Sequence, residues 1–183
     1  MWFRNSVISQ PGEYGTKVKP DGWVMLTVPE LPNQRIFLAS ENFAKKLAQH
    51  FNIPNKNIVN LISPAPLSKK GVPEELLAGN AGLEIFTERF KNINHKTNPV
   101  LIHCKQGLNR TPVAAVLYLI NQNIDPERAA EIVTVAYRQQ RDENFVLNKR
   151  GHYTLVLEAA GLIIQPNLQR RRSCKRNTDY RQH

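Results

Sequence analysis

The stretch Val100-Leu101-Ile102-His103-Cys104-Lys105-Gln106-Gly107-Leu108-Asn109-Arg110-Thr111 organises the rest of the chain. Its apolar first half predicts a short buried strand that ends in a cysteine, and a polar turn containing Gly107 follows. The almost wholly apolar run from Val113 to Ile120 then predicts a buried helix. A strand, a loop and a helix in this order bring loop N–H groups and the helix N-terminus to one point, a geometry that binds phosphate. The same partial positive charge would stabilise a thiolate on Cys104.

Length and composition fit a soluble domain with an unusual charge. A chain of 183 residues suits one domain, which buries about two-thirds of the surface it exposes when unfolded. The net charge of +10 suits polyanionic partners such as nucleic acid, acidic lipid headgroups or phosphorylated substrates, and does not choose among them. The chain has no apolar run near the ~20 residues that cross a bilayer, and its first residues lack the apolar core of a secretory signal. We therefore expect an intracellular protein, cytoplasmic or nuclear.

The chain divides into three predicted segments. Residues 1–21 contain prolines and glycines and predict an irregular N-terminal segment, and residues 22–162 predict the domain itself. Residues 163–183 contain six basic side chains against one acid, and from Gln165 onward they have almost no apolar content, which indicates a disordered basic tail. Such a tail could bind RNA or acidic lipid, carry a nuclear address, or only solubilise the chain.

Strand and helix signals alternate along the domain. Short apolar runs interleaved with amphipathic segments predict an α/β fold, with a largely parallel twisted central sheet flanked by helices and no second domain. The loop that joins Cys104 to Arg110 follows a buried strand and precedes a helix. The predicted strands are 22–28, 35–39, 58–62 and 99–103, and the predicted helices begin at Ser40 and Pro73 and cover 111–121, 126–141 and 144–160.

The residues of the loop have the chemistry of a nucleophile and a phosphate clamp. Cys104 and Cys174 are the only cysteines and do not make a disulfide framework, so a working thiolate requires a reducing compartment. Arg110 would supply a planar, bidentate and permanently charged clamp for phosphate oxygens. Gly107 permits tight curvature, and the hydroxyl of Thr111 could donate to the sulfur as it leaves. His103 and Asn109 are candidates to hold the shape of the loop by hydrogen bonds.

The pattern of His103-Cys104, five residues and Arg110-Thr111 resembles the signature loop of the cysteine-dependent protein tyrosine and dual-specificity phosphatases. Its Gly-Leu-Asn-Arg-Thr portion is similar to the RNA 5′-triphosphatase-like branch, and its His-Cys-Lys-x-Gly portion to the Cdc14-like branch. The resemblance implies that residues 22–162 form a phosphatase-like domain in which Cys104 is the nucleophile and Arg110 the clamp. It also implies that loop N–H groups bind the substrate phosphate, and these belong to Lys105, Gln106, Gly107, Leu108 and Asn109.

The general acid is the role that the sequence leaves unfilled. Phosphatases of this kind usually carry an aspartate upstream of the cysteine to protonate the leaving oxygen, but no aspartate lies between Asp21 and Asp125. Glu74, Glu75 and Asp142 are weak candidates, and both glutamates are better explained as first-turn acids of a helix. An alkoxide leaving group needs a proton, a tyrosine phenoxide needs it less, and a diphosphate needs little help. A missing acid therefore favours a phosphoanhydride substrate, such as a triphosphate RNA end, or a slow phosphatase.

Three functions remain open at this point. The first is a phosphatase that hydrolyses phosphate monoesters, on a phosphorylated protein or another phosphate-bearing substrate, through a phosphocysteine intermediate. The second is an RNA 5′-triphosphatase or other polyphosphatase with the same nucleophile, and the third is a non-catalytic phosphate-binding module. No cofactor is expected, and the five histidines show no metal-ligand spacing. The oligomeric state is left open.

Overall fold

The fold is given by a computed structural model, which describes residues 22–62, 79–91, 93, 99–149 and 151–162, without the side chains of residues 79–82 and 85. The predicted N-terminal segment, the basic tail, Glu74 and Glu75 lie outside the described residues. The strands are β1 (Trp23–Leu26), β2 (Ile36–Ser40), β3 (Ile58–Asn60) and β4 (Val100–Cys104). The helices are α1 (Glu41–His50), α2 (Gly79–Phe90), α3 (Arg110–Asn121), α4 (Pro126–Gln140) and α5 (Thr154–Ala159).

The four strands form one sheet in the order β1-β2-β4-β3. Strand β4 runs parallel to both of its neighbours, whereas β1 pairs antiparallel with β2. The predicted α/β class, with a largely parallel sheet between helices, is therefore confirmed. Because β4 is interior, its carboxyl end opens between two parallel neighbours, where ligands bind in sheets of this kind.

Successive residues of β4 point to opposite faces of the sheet and enter two separate cores. Ile102 and Cys104 belong to the larger core, together with buried residues of α3, α4 and α5. Leu101 belongs to the smaller core, which α1 closes with Ala44 and Leu47. All five residues of β4 are buried, so the strand is fixed on both faces before it reaches the loop.

Helix α4 is attached to the first strand by a side-chain amide. The Met25 N–H donates to Oε1 of Gln140 at 2.9 Å, and Nε2 of Gln140 donates to the Met25 carbonyl at 2.8 Å. At the other end of the helix, Asp125 is the N-cap and accepts from the Arg128 N–H, with Pro126 in the first turn. The two Gln140 bonds hold the C-terminal end of α4, and this is the end that lies beside the signature loop.

The last predicted helix, 144–160, is wrong in its first half. Only Thr154–Ala159 is helical, and the described residues before it form turns. Asn148 and Gly151 both have positive φ, 53° and 72°, which an α-helix does not contain. The apolar periodicity of this region hid two turn positions. Helix α3, by contrast, begins at Arg110, one residue before its predicted start.

Membrane-spanning helices and clusters of metal-ligating side chains are absent from the described residues. None of their helices is both long enough and apolar enough to cross a bilayer. They contain no group of three or more side chains able to ligate a metal ion.

Candidate active site

Cys104 is the last residue of β4 and lies at the carboxyl edge of the sheet. It is paired in register with Ser40, the last residue of β2, and its side chain is 3% exposed. The amide N–H of Gly107 donates to its Sγ at 3.2 Å. An N–H group aimed at the sulfur stabilises a thiolate more than a thiol, because its partial positive charge faces the developing anion.

The backbone at Gly107 admits only glycine. Its φ is +69°, a conformation in which a side chain is strained, and a Cβ there would lie 2.7 Å from the carbonyl carbon of Ala39. The same Cβ would come within 2.8 Å of the Ser40 nitrogen. The loop therefore curves directly against the end of β2, as the predicted tight curvature requires.

Three successive carbonyl groups of the loop are held from outside it. The Lys105 carbonyl accepts from the Glu41 N–H at 3.2 Å, and the Gln106 carbonyl accepts from Nη2 of Arg141 at 2.7 Å. The carbonyl and N–H of a trans peptide point in opposite directions. Anchoring these carbonyls outward thus turns the next N–H groups inward, toward Cys104. The described residues offer no other acceptor to the N–H groups of Gln106 and Leu108.

Tyr137 of α4 and Arg141, the residue that follows α4, complete this anchoring, and the sequence interpretation missed both. The Gly107 carbonyl accepts from the Tyr137 hydroxyl at 2.6 Å and from Nη1 of Arg141 at 3.0 Å. Burial raises the pKa of Tyr137 above its usual value, so its hydroxyl stays protonated and remains a donor. Tyr137 lies in α4 and Arg141 is the C-cap residue of that helix, so which groups they reach depends on how α4 packs, and this is not readable from the local sequence.

Arg110 lies at the first position of α3 with its guanidinium half-buried. Its Nη1 donates to the Leu61 carbonyl at 2.7 Å, and the Leu61 N–H donates to the His103 carbonyl at 2.8 Å. The end of β3 thus orients the arginine beside the loop. A guanidinium held through one nitrogen keeps further N–H donors for two oxygens of a phosphate.

The remaining predicted loop residues differ in their surroundings. Thr111 is fully buried, and its Oγ1 has no partner among the described residues, so the hydroxyl is available for the proposed bond to sulfur. Asn109 is the N-cap residue of α3 but its side chain makes no capping bond, and it is exposed. Pro112 falls in the first turn of α3, where its missing N–H would be unpaired in any case. The exposed side chains of Lys105 and Gln106 point to no described partner.

His103 does not hold the loop by a side-chain bond. Its imidazole faces α1, on the opposite side of β4 from Cys104, and the described residues offer its Nδ1 no partner. Burial lowers the pKa of His103 from its usual 6.5, with the carboxylate of Glu41 as a smaller opposing influence. We predicted that His103 holds the shape of the loop by hydrogen bonds. Among the described residues, the bond that could serve this role is the one its backbone carbonyl accepts from the Leu61 N–H.

Of the weak candidates for the general acid, only Asp142 is described. Its Oδ1 accepts from the Asn144 N–H at 3.0 Å, which caps the turn after α4. No contact joins its carboxylate to the described signature loop, although its neighbour Arg141 reaches that loop. The structure therefore explains Asp142 as a turn residue.

Comparisons with known proteins bear on the family and on the fold. The family model described as protein-tyrosine phosphatase matches residues 52–160, which is more than half of the chain. Human DUSP28 has the same fold, with a TM-score of 0.50, 15% identity, and coverage of 80% of this chain and 97% of that one. A mouse putative dual specificity phosphatase complexed with zinc tungstate has a TM-score of 0.46 and 13% identity, with coverage of 85% and 91%. No curated protein matches the sequence.

Proposed function

Because the chain belongs to the protein-tyrosine phosphatase family, we propose that it hydrolyses phosphate monoesters with Cys104 as the nucleophile and a phosphocysteine intermediate. The observation that carries this proposal is the bond from the Gly107 N–H to Sγ of Cys104. It lies within a loop whose carbonyls at Lys105, Gln106 and Gly107 are bonded to groups outside the loop. A loop built in this way offers N–H donors to a bound phosphoryl group and a stabilised anion to attack it.

In the first step, the thiolate of Cys104 attacks phosphorus in line with the leaving oxygen. The S–P bond forms, the P–O ester bond breaks, and the electron pair leaves on the ester oxygen, which takes a proton from an acid or from water. Loop N–H groups and the guanidinium of Arg110 balance the charge of the three equatorial oxygens. Preorganised donors of this kind each contribute about 10²–10³ in rate.

In the second step, a water oxygen attacks the phosphocysteine. The new O–P bond forms while the S–P bond breaks, and the electron pair returns to sulfur as a thiolate. The unpaired hydroxyl of Thr111 donates a hydrogen bond to the sulfur as charge returns to it. The proton lost by water ends on the product phosphate or in solution, so the enzyme is regenerated.

The preferred substrate class depends on the general acid, for which the sequence offers no aspartate upstream of Cys104 within the domain. No aspartate lies between Asp21 and Asp125, and Asp142 is engaged in a turn. A phenoxide leaving group, with a pKa of about 10, needs a proton less than an alkoxide does. Phosphotyrosine is therefore the preferred monoester, and Glu74 or Glu75 stays a candidate acid for slower substrates.

Phosphate release from an aryl phosphate, compared between wild type and Cys104→Ser, tests the proposal. We expect the variant to lose at least about 10³-fold in kcat, because a serine hydroxyl is not ionised near neutral pH. Acid quenching during turnover should trap a phosphoryl group on wild type and none on the variant. Equal inactivity of both proteins, with equal binding of phosphate, would instead identify a non-catalytic phosphate-binding module.

A second candidate substrate is a triphosphate RNA end, whose diphosphate leaving group needs no acid. The distribution of charge favours it. The described residues hold twelve basic and ten acidic side chains, so eight of the ten net positive charges lie in the remaining segments. Those segments are suited to a polyanion that extends beyond the loop. Faster phosphate release from triphosphate-ended RNA than from a phosphotyrosine peptide, lost in Cys104→Ser, would decide for this substrate.

A further inference from the structure

A second cavity lies on the face of β4 opposite Cys104, and we call it the rear groove. It has a volume of about 540 Å³ and lies between α1 and the segment from Ile53 to Ile58. Its floor is apolar and includes Ala48 and Leu101. The loop between Cys104 and Arg110 contributes no residue to its lining, so the rear groove is separate from the phosphate site.

The imidazole of His103 is a polar group that lines the rear groove beside this apolar floor. The side chain is 7% exposed, and no hydrogen bond joins the ring to another described residue. A buried polar group without a partner is unfavourable, and it is a feature that a bound molecule can satisfy. Because burial lowers the pKa of His103, its ring is neutral near pH 7 and offers one N–H donor and one acceptor nitrogen.

The other polar groups of the rear groove define what fits beside the imidazole. Glu41 and Lys45 provide one negative and one positive charge, so the groove has no excess of either sign. Gln49 and Asn55 are exposed amides, each with both donors and acceptors. A multiply charged anion would face the carboxylate of Glu41, and a wholly apolar molecule would leave the ring of His103 unpaired.

We propose that the rear groove binds a neutral, flat, nitrogen-containing heterocycle of nucleobase size, held by His103 and by the amides of Gln49 and Asn55. The apolar floor suits the face of a ring, and the polar wall suits the alternating donors and acceptors of its edge. The volume lies within the range of about 300–1,000 Å³ that is usual for small-molecule sites.

The rear groove is linked to the signature loop by short backbone connections. His103 directly precedes Cys104, and the first N–H of α1, that of Glu41, donates to the Lys105 carbonyl. A ligand seated between α1 and β4 therefore contacts the two elements that hold the start of the loop. We expect occupancy of the rear groove to change the rate of phosphate release, a coupling between two distinct sites.

Calorimetric titration of the full chain with adenine, guanine, cytosine and uracil tests the site directly. At least one base should bind with a stoichiometry of one and a dissociation constant of about 1 mM or tighter. Ala48→Phe, which fills the groove, should weaken binding at least about tenfold, and Gln49→Ala should weaken it about threefold to tenfold. His50→Ala is the matched control, because His50 is also exposed on α1 and does not line the groove.

Two further measurements locate the bound base. The imidazole resonances of His103, assigned by their loss in His103→Asn, should shift on titration, and inorganic phosphate should not displace the base. Displacement by phosphate, equal affinity of wild type and both groove variants, or failure of every base to bind would each overturn the proposal. Binding is measured without substrate, so it stands or falls independently of the phosphatase activity.

Discussion

Cys104 and His103 are adjacent in the chain, yet the two faces of β4 surround them very differently. On the cysteine face, helices α2 to α5 close a large core, and Tyr137 and Arg141 bind the carbonyls of the loop. On the histidine face, the described residues that cover the sheet are α1 and the segment that follows it, and the imidazole, which has no partner among the described residues, faces an open groove. The difference teaches that the loop takes its shape from α4. The α1 side contributes a single backbone bond, from Glu41 to Lys105.

Substitution of Gly107 should break this arrangement most severely. Gly107→Ala combines a strained positive φ with a Cβ only 2.7 Å from β2, so we expect a loss of about 2–4 kcal/mol in unfolding free energy. Displacement of the loop by about 1 Å should lower kcat/KM about 100-fold. Denaturant unfolding and aryl phosphate hydrolysis measure the two effects.

Gly151→Ala is the matched control for that variant. Gly151 has a similar φ of +72°, but its nearest neighbour, Oγ1 of Thr154, would be 3.9 Å from the new Cβ. Only the backbone strain remains, so we expect a cost of about 1–2 kcal/mol and unchanged hydrolysis. Equal loss of activity in the two variants would show that the close approach to β2 has no role in the site.

Arg141 should come next in effect, because its guanidinium binds two loop carbonyls at once. Lysine cannot reproduce this fork, so Arg141→Lys should lower kcat about 10-fold to 100-fold, with a smaller change in KM. Arg138→Lys is the control, since Arg138, in the last turn of α4, donates to the Phe145 carbonyl and not to the loop. A pair of variants with the same kcat would contradict the positioning role of Arg141.

Removal of a single hydroxyl provides a finer test. Tyr137→Phe removes the hydroxyl that donates to the Gly107 carbonyl, and Tyr118→Phe removes the hydroxyl that accepts from Gln34. Each change should cost about 0.5–1.5 kcal/mol in unfolding free energy. Burial raises the pKa of Tyr118 to about 12, so both tyrosines are neutral. Only Tyr137→Phe should also slow hydrolysis, by about threefold to tenfold. Thermal unfolding and kcat distinguish the outcomes, and an equal slowing of both variants would mean that stability alone governs the rate.

The smallest expected effect comes from the histidine face. The pKa of His103 is lower in the folded protein than its unfolded value of 6.5. As pH falls below about 6.5, His103 therefore becomes protonated in the unfolded chain before it does in the folded chain. Unfolding free energy should decline in this range by up to about 1.4 kcal/mol per pH unit, until the folded pKa is passed.

His103→Gln removes this group and should flatten that part of the stability curve, as measured by urea unfolding between pH 7.5 and 5. His50→Gln, a change at an exposed histidine of α1, should leave the slope as it is in wild type. A slope that survives in His103→Gln would place the titration elsewhere.

The sequence predicted best where its signals are local. The apolar run into Cys104, Gly107 in the turn and the apolar residues after Thr111 each follow from neighbours in the chain, and the structure contains β4, the tight turn and α3 there. The contributions of Tyr137 and Arg141 depend on how α4 packs across the sheet, which no local pattern encodes. The turns near Asn148 went unseen because a positive φ leaves no mark on hydrophobic periodicity.

The attachment of α4 through Gln140 has a consequence for how the molecule behaves in concentrated solution. Strand β1 ends the sheet, and a terminal strand is where a second chain adds by backbone pairing. Both backbone groups of Met25 are already taken by one amide of the same molecule. An incoming strand would have to displace that amide, so this edge is protected from self-association by the residue that also sets the end of α4.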